Sequence, residues 1–149
     1  MNKEVKVYPY RWIVLIVFML MSIVIEIEWL THAPIARAAQ VYYAGQFNPN
    51  SIFNIDFLAM SYMLFSIIFI LPASYVIGTY GIKVGVSFGA VLAGVAALVK
   101  GIFGANFVIV LIAQIVLAIS QSFIINAATA ITARWFPLKE RGLATGFAT

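Results

Sequence analysis

The longest run without an ionisable side chain covers 33 residues, from position 101 to position 133. Three further runs, at 12–30, 57–77 and 84–99, carry few charges or none. A helix rises about 1.5 Å per residue, so about 20 apolar residues cross a hydrocarbon layer about 30 Å thick. The third run reaches that length only with its flanking residues. The pattern predicts an all-α membrane protein with four transmembrane helices.

Composition excludes a soluble domain and argues against catalysis. The chain is 64% hydrophobic and 9% charged, whereas soluble domains carry about 25% charged residues. It has no cysteine, which excludes disulfides, thiolate metal sites and cysteine nucleophiles. One His and five acidic residues are too scattered to predict a metal cluster. We therefore expect no enzyme activity and no cofactor.

The net charge of +4 is distributed by side of the membrane. Two basic residues, Arg37 and Lys100, are expected on one side. The other seven fall on the opposite side: Lys3, Lys6, Arg11, Lys83, Arg134, Lys139 and Arg141. By the positive-inside rule this predicts a multi-pass protein of the cell membrane with a cytoplasmic N-terminus. The excess charge sets topology and does not predict a nucleic-acid partner.

The helix boundaries follow from the apolar runs and the turn residues between them. We expect a cytoplasmic lead at 1–10, helices at about 11–33, 54–78, 81–103 and 106–134, and a fifth helix starting near 140. Pro34 is expected to kink the first helix rather than end it. The chain turns apolar again near its last residue, which predicts a piece of a longer protein.

The third helix carries small residues at a strict four-residue spacing. They are Gly81, Gly85, Gly89, Ala93 and Ala97. One side of the helix thus lacks bulk, which is typical of helices whose backbones approach a neighbour closely. We expect tight packing along this side.

Two carboxylates lie near the end of the first helix. Insertion of a carboxylate at mid-membrane costs about 2.5–3.5 kcal/mol, so their presence in a span calls for a structural or functional explanation. Glu26 and Trp29 share one side of the helix, and Glu28 lies on the opposite side with His32. Glu28 is expected to pair with His32. Glu26 beside an indole suits an organic cation, and Glu26, Glu28 and His32 are candidates for ion coupling. The alternative, that both glutamates are solvated among headgroups, stays open.

Polar side chains also line one side of the fourth helix. Gln114, Gln121, Ser122, Thr129 and Thr132 fall within an arc of about 100°. Buried amides and hydroxyls need partners, which here are another helix, water or a ligand. Gln121, near mid-helix, is the strongest ligand candidate.

The second helix adds one candidate. Tyr62 lies in the half of that helix nearer the predicted outer side. Its hydroxyl either reaches a cavity or belongs to an aromatic belt.

Residues 134–146, RWFPLKERGLATG, resemble the segment between the fourth and fifth helices of major facilitator superfamily transporters. Residues 74–83 stand where that superfamily has a glycine-rich basic loop. Lys83 fits a basic position, but Ser74 replaces the first glycine and Gly78 the acidic residue. The resemblance marks Lys83, Arg134, Glu140 and Arg141 as loop-motif residues.

Within the superfamily the chain is similar to the feline leukaemia virus subgroup C receptor family, whose members are linked to choline, ethanolamine or haem transport. The shared segments are 10–12, 28–29, 56–63, 120–121 and 134–136. In that family a first-helix Trp and a fourth-helix Gln line the choline site, and they match Trp29 and Gln121. Departures are Glu28, where the family tends to have Gln, and the additional Glu26.

The resemblance implies a twelve-helix transporter that works by alternating access. This chain would supply four helices and the start of a fifth, within the N-terminal six-helix half, and its partners would be a small solute, the bilayer and the remaining helices. A small organic cation such as choline is the first substrate class. Alternatives are a proton-coupled carrier of an organic anion or another metabolite, and a non-transporting assembly or receptor protein.

Overall fold

The computed structural model describes residues 9–48 and 52–148, so most of the N-terminal lead, residues 1–8, lies outside the described part. Within these ranges the helices are α1 Arg11–Leu30, α2 Ala36–Tyr42, α3 Ile55–Tyr80, α4 Ile82–Phe103, α5 Phe107–Trp135 and α6 Leu138–Ala148. Four of them, α1, α3, α4 and α5, are long and apolar enough to cross a membrane. The prediction of an all-α membrane protein with four spans and the start of a fifth helix is confirmed.

The long helices alternate in direction, which gives the bundle two ends. The Arg11 end holds the start of α1, the α3–α4 turn and the α5–α6 junction. The Leu30 end holds α2 and the α4–α5 turn. Gly81 joins α3 to α4 with φ of 94°, a backbone conformation that side chains rarely adopt. Asn54 and Asn106 cap α3 and α5 by accepting hydrogen bonds from backbone amides of the first turn.

The segment after α1 differs from the sequence prediction. The helix ends at Leu30 rather than near residue 33, and Pro34 lies in the break instead of at a kink. Proline has no amide hydrogen to donate and its ring crowds the preceding turn, so the helix stops before it. The short helix α2 that follows was not predicted.

The region that begins with α2 folds over the turn between α4 and α5. The Tyr43 hydroxyl donates to the carbonyl of Gly104. The Gln46 side-chain amide donates to the Ala105 carbonyl at 3.0 Å and accepts from the Phe107 amide at 2.8 Å. These bonds close the Leu30 end of the bundle on one side.

Helix α5 forms the centre of the bundle. Of its apolar window 56% is buried, against 17–22% in the other three spans. The closest approach is to α4 at Gly89, where an added Cβ would lie 2.9 Å from Ile124 Cδ1. Ser120 Oγ donates to the Gly89 carbonyl at 2.8 Å. The predicted tight packing is confirmed at Gly89, since a side chain there would separate α4 from α5.

Candidate functional site

Two polar side chains from different helices meet near the middle of the bundle. Gln121 Nε2 of α5 donates to Glu26 Oε1 of α1 at 2.6 Å. Gln121 is 7% exposed, and Glu26 is half-buried. A hydrogen bond to an ionised acceptor is short and strong, so this contact ties the sparsely packed α1 to the central helix.

The two predicted aromatic residues stack on each other. The Trp29 ring of α1 lies 4.7 Å from the Tyr62 ring of α3, with an interplanar angle of 12°. One face of the indole is therefore covered by Tyr62. A cation that approached Trp29 would use the other face or displace the tyrosine.

Several polar atoms around these pairs are buried without a hydrogen-bond partner among the described residues. They are Trp29 Nε1, Tyr62 Oη, Gln114 Oε1 and Gln121 Oε1. Gln114 lies seven residues before Gln121 on the same side of α5, and its Nε2 is 3.5 Å from the Trp29 carbonyl oxygen. Leaving a buried polar atom unpaired costs about 1–3 kcal/mol. We call Glu26, Trp29, Tyr62, Gln114 and Gln121 the mid-bundle site.

Cavities border the site on two sides. Glu26 and Gln121 line a cavity of about 180 Å³, and Glu26 also lines a neighbouring one of about 200 Å³. Trp29 and Gln114 line a third, of about 320 Å³, at the Leu30 end. The structure thus places Glu26 and Trp29 on successive turns of α1 but beside different cavities, so the two do not enclose one common pocket here.

The predicted pairing of Glu28 with His32 is wrong. Glu28 Oε2 instead lies 3.8 Å from Lys100 Nζ of α4, and the same ammonium donates to the Glu28 backbone carbonyl at 3.1 Å. Lys100 lies 72 positions away in sequence, so helical spacing alone does not reveal the pair. A carboxylate at this depth is stabilised better by a cation from another helix than by a neutral imidazole.

His32, just beyond α1, keeps one nitrogen unpaired. Its Nδ1 is buried with no partner in the described part of the chain. Burial lowers the pKa of His32 from its ordinary value, the positive charge of Lys100 lowers it further, and Glu28 opposes both. His32 is therefore held in its neutral form near neutral pH.

At the Arg11 end, two of the four loop-motif residues hold α6 in place. Arg11 Nη2 lies 2.9 Å from Glu140 Oε2. Arg141 donates from Nε to the Phe136 carbonyl at 3.0 Å and from Nη2 to the Ala133 carbonyl at 2.7 Å. We call Arg11, Phe136, Glu140 and Arg141 the α6 anchor, because together they fix α6 to α1 and to the end of α5.

The other two loop-motif residues are exposed. Lys83 and Arg134 border a groove of about 760 Å³ at the Arg11 end. Neither forms an ion pair with a described residue. The acidic residue of the usual loop pattern is absent at Gly78, which accounts for the unpaired charges.

No group of three or more potential metal ligands occurs among the residues that the structure describes. The mid-bundle site contains one carboxylate, two amides and two aromatic rings. Such a set recognises a solute by charge, hydrogen bonds and ring faces.

Comparison with known proteins identifies the family of this chain. A sequence model of the Major Facilitator Superfamily matches residues 12–149. The chain is 29% identical over 135 residues to an uncharacterized MFS-type transporter, C09D4.1, of Caenorhabditis elegans, covering 89% of this chain and 22% of that protein.

Two other relatives are named after the substrates that they transport. The choline/ethanolamine transporter FLVCR1 of Mus musculus is 28% identical over 134 residues, covering 89% of this chain and 23% of that protein. The choline/ethanolamine transporter FLVCR2 of Homo sapiens is 28% identical over 138 residues, covering 91% and 25%. The chain spans about a quarter of the length of these relatives. With four apolar helices and a family match over nearly its whole length, the chain is a multi-pass membrane protein that belongs to the Major Facilitator Superfamily.

Proposed function

We propose that the protein containing this chain carries a small organic cation across a membrane by alternating access, with choline or a related amine as the substrate class. The observation that carries the proposal is the contact between Glu26 and Gln121, which places a carboxylate from one span against a buried amide from another. The names of the FLVCR1 and FLVCR2 relatives favour the same class.

The chemistry of the mid-bundle site suits a cation better than an anion. Glu26 is the one carboxylate of this site, and neither Lys nor Arg belongs to it. The oxygen atoms of Gln114 and Gln121 are free acceptors. A positive solute gains from the carboxylate, the amide oxygens and the aromatic faces at once, and an anion would be repelled by Glu26.

The Glu26–Gln121 contact also supplies a way to couple binding to motion. A cation that takes over Glu26 competes with the Gln121 amide for the same oxygen. Because that amide links α1 to α5, its release loosens one of the few polar ties between these helices. Binding would then change how firmly α1 is held against α5.

We place the Arg11 end of the bundle in the cytoplasm of a cell-membrane protein. Seven of the nine basic residues belong to that end by sequence order, which is the bias of cytoplasmic segments. The Leu30 end then faces outward.

Uptake by the full-length protein in reconstituted vesicles tests the proposal. We expect radiolabelled choline to accumulate, and Trp29→Ala to reduce its uptake by about 10-fold or more, since a desolvated cation–π contact contributes about 2 kcal/mol. Trp12→Ala is the matched control, because Trp12 contacts Phe136 at the Arg11 end. Uptake in that variant should stay near the wild-type rate.

An organic-anion carrier would behave differently. Wild-type vesicles would then take up a labelled carboxylate in response to a proton gradient and ignore choline. That result, or choline uptake equal in Trp29→Ala and wild type, would overturn the assignment of a cation to this site.

A further inference from the structure

A chamber of about 320 Å³ lies at the Leu30 end of the bundle, beyond the mid-bundle site. Its walls come from the end of α1, the start of α2, the start of α3 and the first half of α5. The polar side chains that line it are Trp29, His32, Asp56 and Gln114, and the others are alanines, leucines and an isoleucine. This volume lies at the lower end of the range of about 300–1,000 Å³ that is typical of small-molecule sites.

One wall residue, Gln114, carries a buried and unsatisfied acceptor. Gln114 is 1% exposed, and its Oε1 has no hydrogen-bond partner within 9–48 and 52–148. A buried amide oxygen without a donor is costly. The atom therefore points to an occupant that brings a donor or a positive charge.

The charge of the lining has one sign. Asp56 is the one carboxylate in the wall, it is exposed, and it makes no ion pair with a described residue. His32 is held neutral by burial and by Lys100, which lowers its pKa. Lys100 itself is engaged with Glu28. The lining of the chamber therefore carries one formal negative charge, at Asp56, which lies beside the N-terminus of α3.

One wall is shared with the site described above. Trp29 lines the chamber and also stacks on Tyr62, and it lies one turn from Glu26 on α1. A solute held against the indole would lie one helical turn from Glu26, which lines a different cavity.

We propose that this chamber is a second binding position, which captures a small organic cation before it reaches Glu26. Asp56 attracts the cation and Gln114 Oε1 accepts from it or faces its charge. The inference rests on the proposed function, since it concerns the same solute and adds a step to its path.

Concentration-dependent choline uptake by the full-length protein tests the inference at two ionic strengths. We expect Asp56→Asn to raise KM by about 3- to 10-fold at low salt and to leave kcat unchanged, because an exposed charge accelerates capture without touching the later site. At high salt the difference should disappear, since screening shortens the reach of an exposed charge to about 3 Å at 1 M. Asp56→Glu keeps the charge and should restore the low-salt KM.

A second variant addresses the buried acceptor. Gln114→Leu should raise KM at both ionic strengths, because its contact with the cation is buried and poorly screened. Because Gln114 also belongs to the mid-bundle site, this rise supports the chamber only together with the salt-dependent effect of Asp56→Asn.

Failure of the chamber can be told from failure of the transport proposal. If the wild-type protein moves choline and KM at low salt is unchanged in Asp56→Asn, the chamber does not bind the cation, whatever the effect of Gln114→Leu. If the wild-type protein neither binds nor moves choline, the transport proposal fails and the chamber proposal falls with it.

Discussion

The α6 anchor and the mid-bundle site both bury polar groups, yet they satisfy them very differently. In the α6 anchor the Arg11 guanidinium meets Glu140 at 2.9 Å and lies over the Phe136 ring at 5.5 Å. Arg141 donates twice to backbone carbonyls at the end of α5. Two anchor atoms, Arg11 Nε and Glu140 Oε2, have no hydrogen-bond partner among the described residues, but Glu140 Oε2 is held by the ion pair with Arg11. In the mid-bundle site four buried polar atoms have neither a hydrogen bond nor an ion pair in the described part of the chain.

This difference distinguishes buried polar groups that stabilise the fold from buried polar groups that are available to bind a ligand. Groups whose partners belong to the same fold stabilise it, and removing one leaves the other unpaired. Groups that lack partners make the fold less stable than it would be otherwise, and are retained where something else binds them. The comparison predicts opposite effects of mutations at the two places on stability and on binding.

The largest effect is expected at Glu26. Glu26→Gln keeps the shape of the side chain and removes its charge, so choline should bind the full-length protein about 10-fold more weakly or worse, the loss of about 1.4 kcal/mol. The midpoint of thermal unfolding should change little, because the removal of a costly charge from the membrane interior offsets the weaker hydrogen bond that Gln121 donates to a neutral amide. Equilibrium binding and thermal unfolding of the same preparation measure both quantities.

Glu140→Gln is the matched control for this change. It removes a carboxylate from the α6 anchor, so stability should fall while choline affinity stays as in the wild type. Equal losses of affinity in the two variants would mean that net charge, and not the site, controls binding.

The next effect concerns the anchor itself. Arg11→Met removes the ion pair and the contact with the Phe136 ring, and should lower the free energy of unfolding by roughly 1–2 kcal/mol, a modest value because Glu140 is 37% exposed. The double variant Arg11→Glu with Glu140→Arg should regain part of the loss. Chemical denaturation of the full-length protein in mild detergent measures it, and no recovery in the double variant would show that the pair itself contributes little.

A smaller effect is expected at Tyr62. Its hydroxyl is buried without a partner among the described residues, so Tyr62→Phe removes no hydrogen bond and should keep or raise the free energy of unfolding. Choline affinity should fall a few-fold if the hydroxyl faces the bound solute. A clear loss in the free energy of unfolding with unchanged choline affinity would show that Tyr62 stabilises the fold and does not bind the solute.

The smallest effect is a pH dependence. The pKa of His32 is lowered by burial and Lys100, with Glu28 opposing, so the folded state favours the neutral imidazole. Stability from this group is present above the ordinary histidine pKa of about 6.5 and is lost as pH falls below it, because the unfolded chain takes up the proton first. Unfolding midpoints between pH 7.5 and 5 should decline less in His32→Gln than in the wild type, and identical slopes would contradict this.

The sequence predicted the parts of this molecule that depend on local composition. Apolar runs gave the four spans, four-residue spacing gave the close approach at Gly89, and polarity amid lipid marked Glu26 and Gln121. Each of these signals lies within one helix and follows from its period or from the cost of burial. The stacking of Trp29 on Tyr62 depends on how α1 packs against α3, so the spacing of residues within either helix could not predict it.

Partner choice across helices is also where the sequence interpretation went wrong. His32 is four residues from Glu28 and looked like its partner, whereas Lys100 is brought to Glu28 only by the packing of α4 beside α1. The helix α2 was not predicted for a related reason. The residues just after it, Tyr43 and Gln46, bond to the turn between α4 and α5, and only the fold brings that turn close to them.

The thermal shift produced by choline in the full-length protein tests the central claim most directly. Wild-type protein and Arg11→Met should both gain stability as choline is added, by RT ln(1 + [L]/Kd), even though the variant starts lower. At the same choline concentration Trp29→Ala should gain less, by up to about 1.4 kcal/mol for a 10-fold weaker Kd. A rise in Trp29→Ala equal to that in the wild type, or none in the wild type, would contradict the view that the unpaired polar groups of the mid-bundle site await a cation.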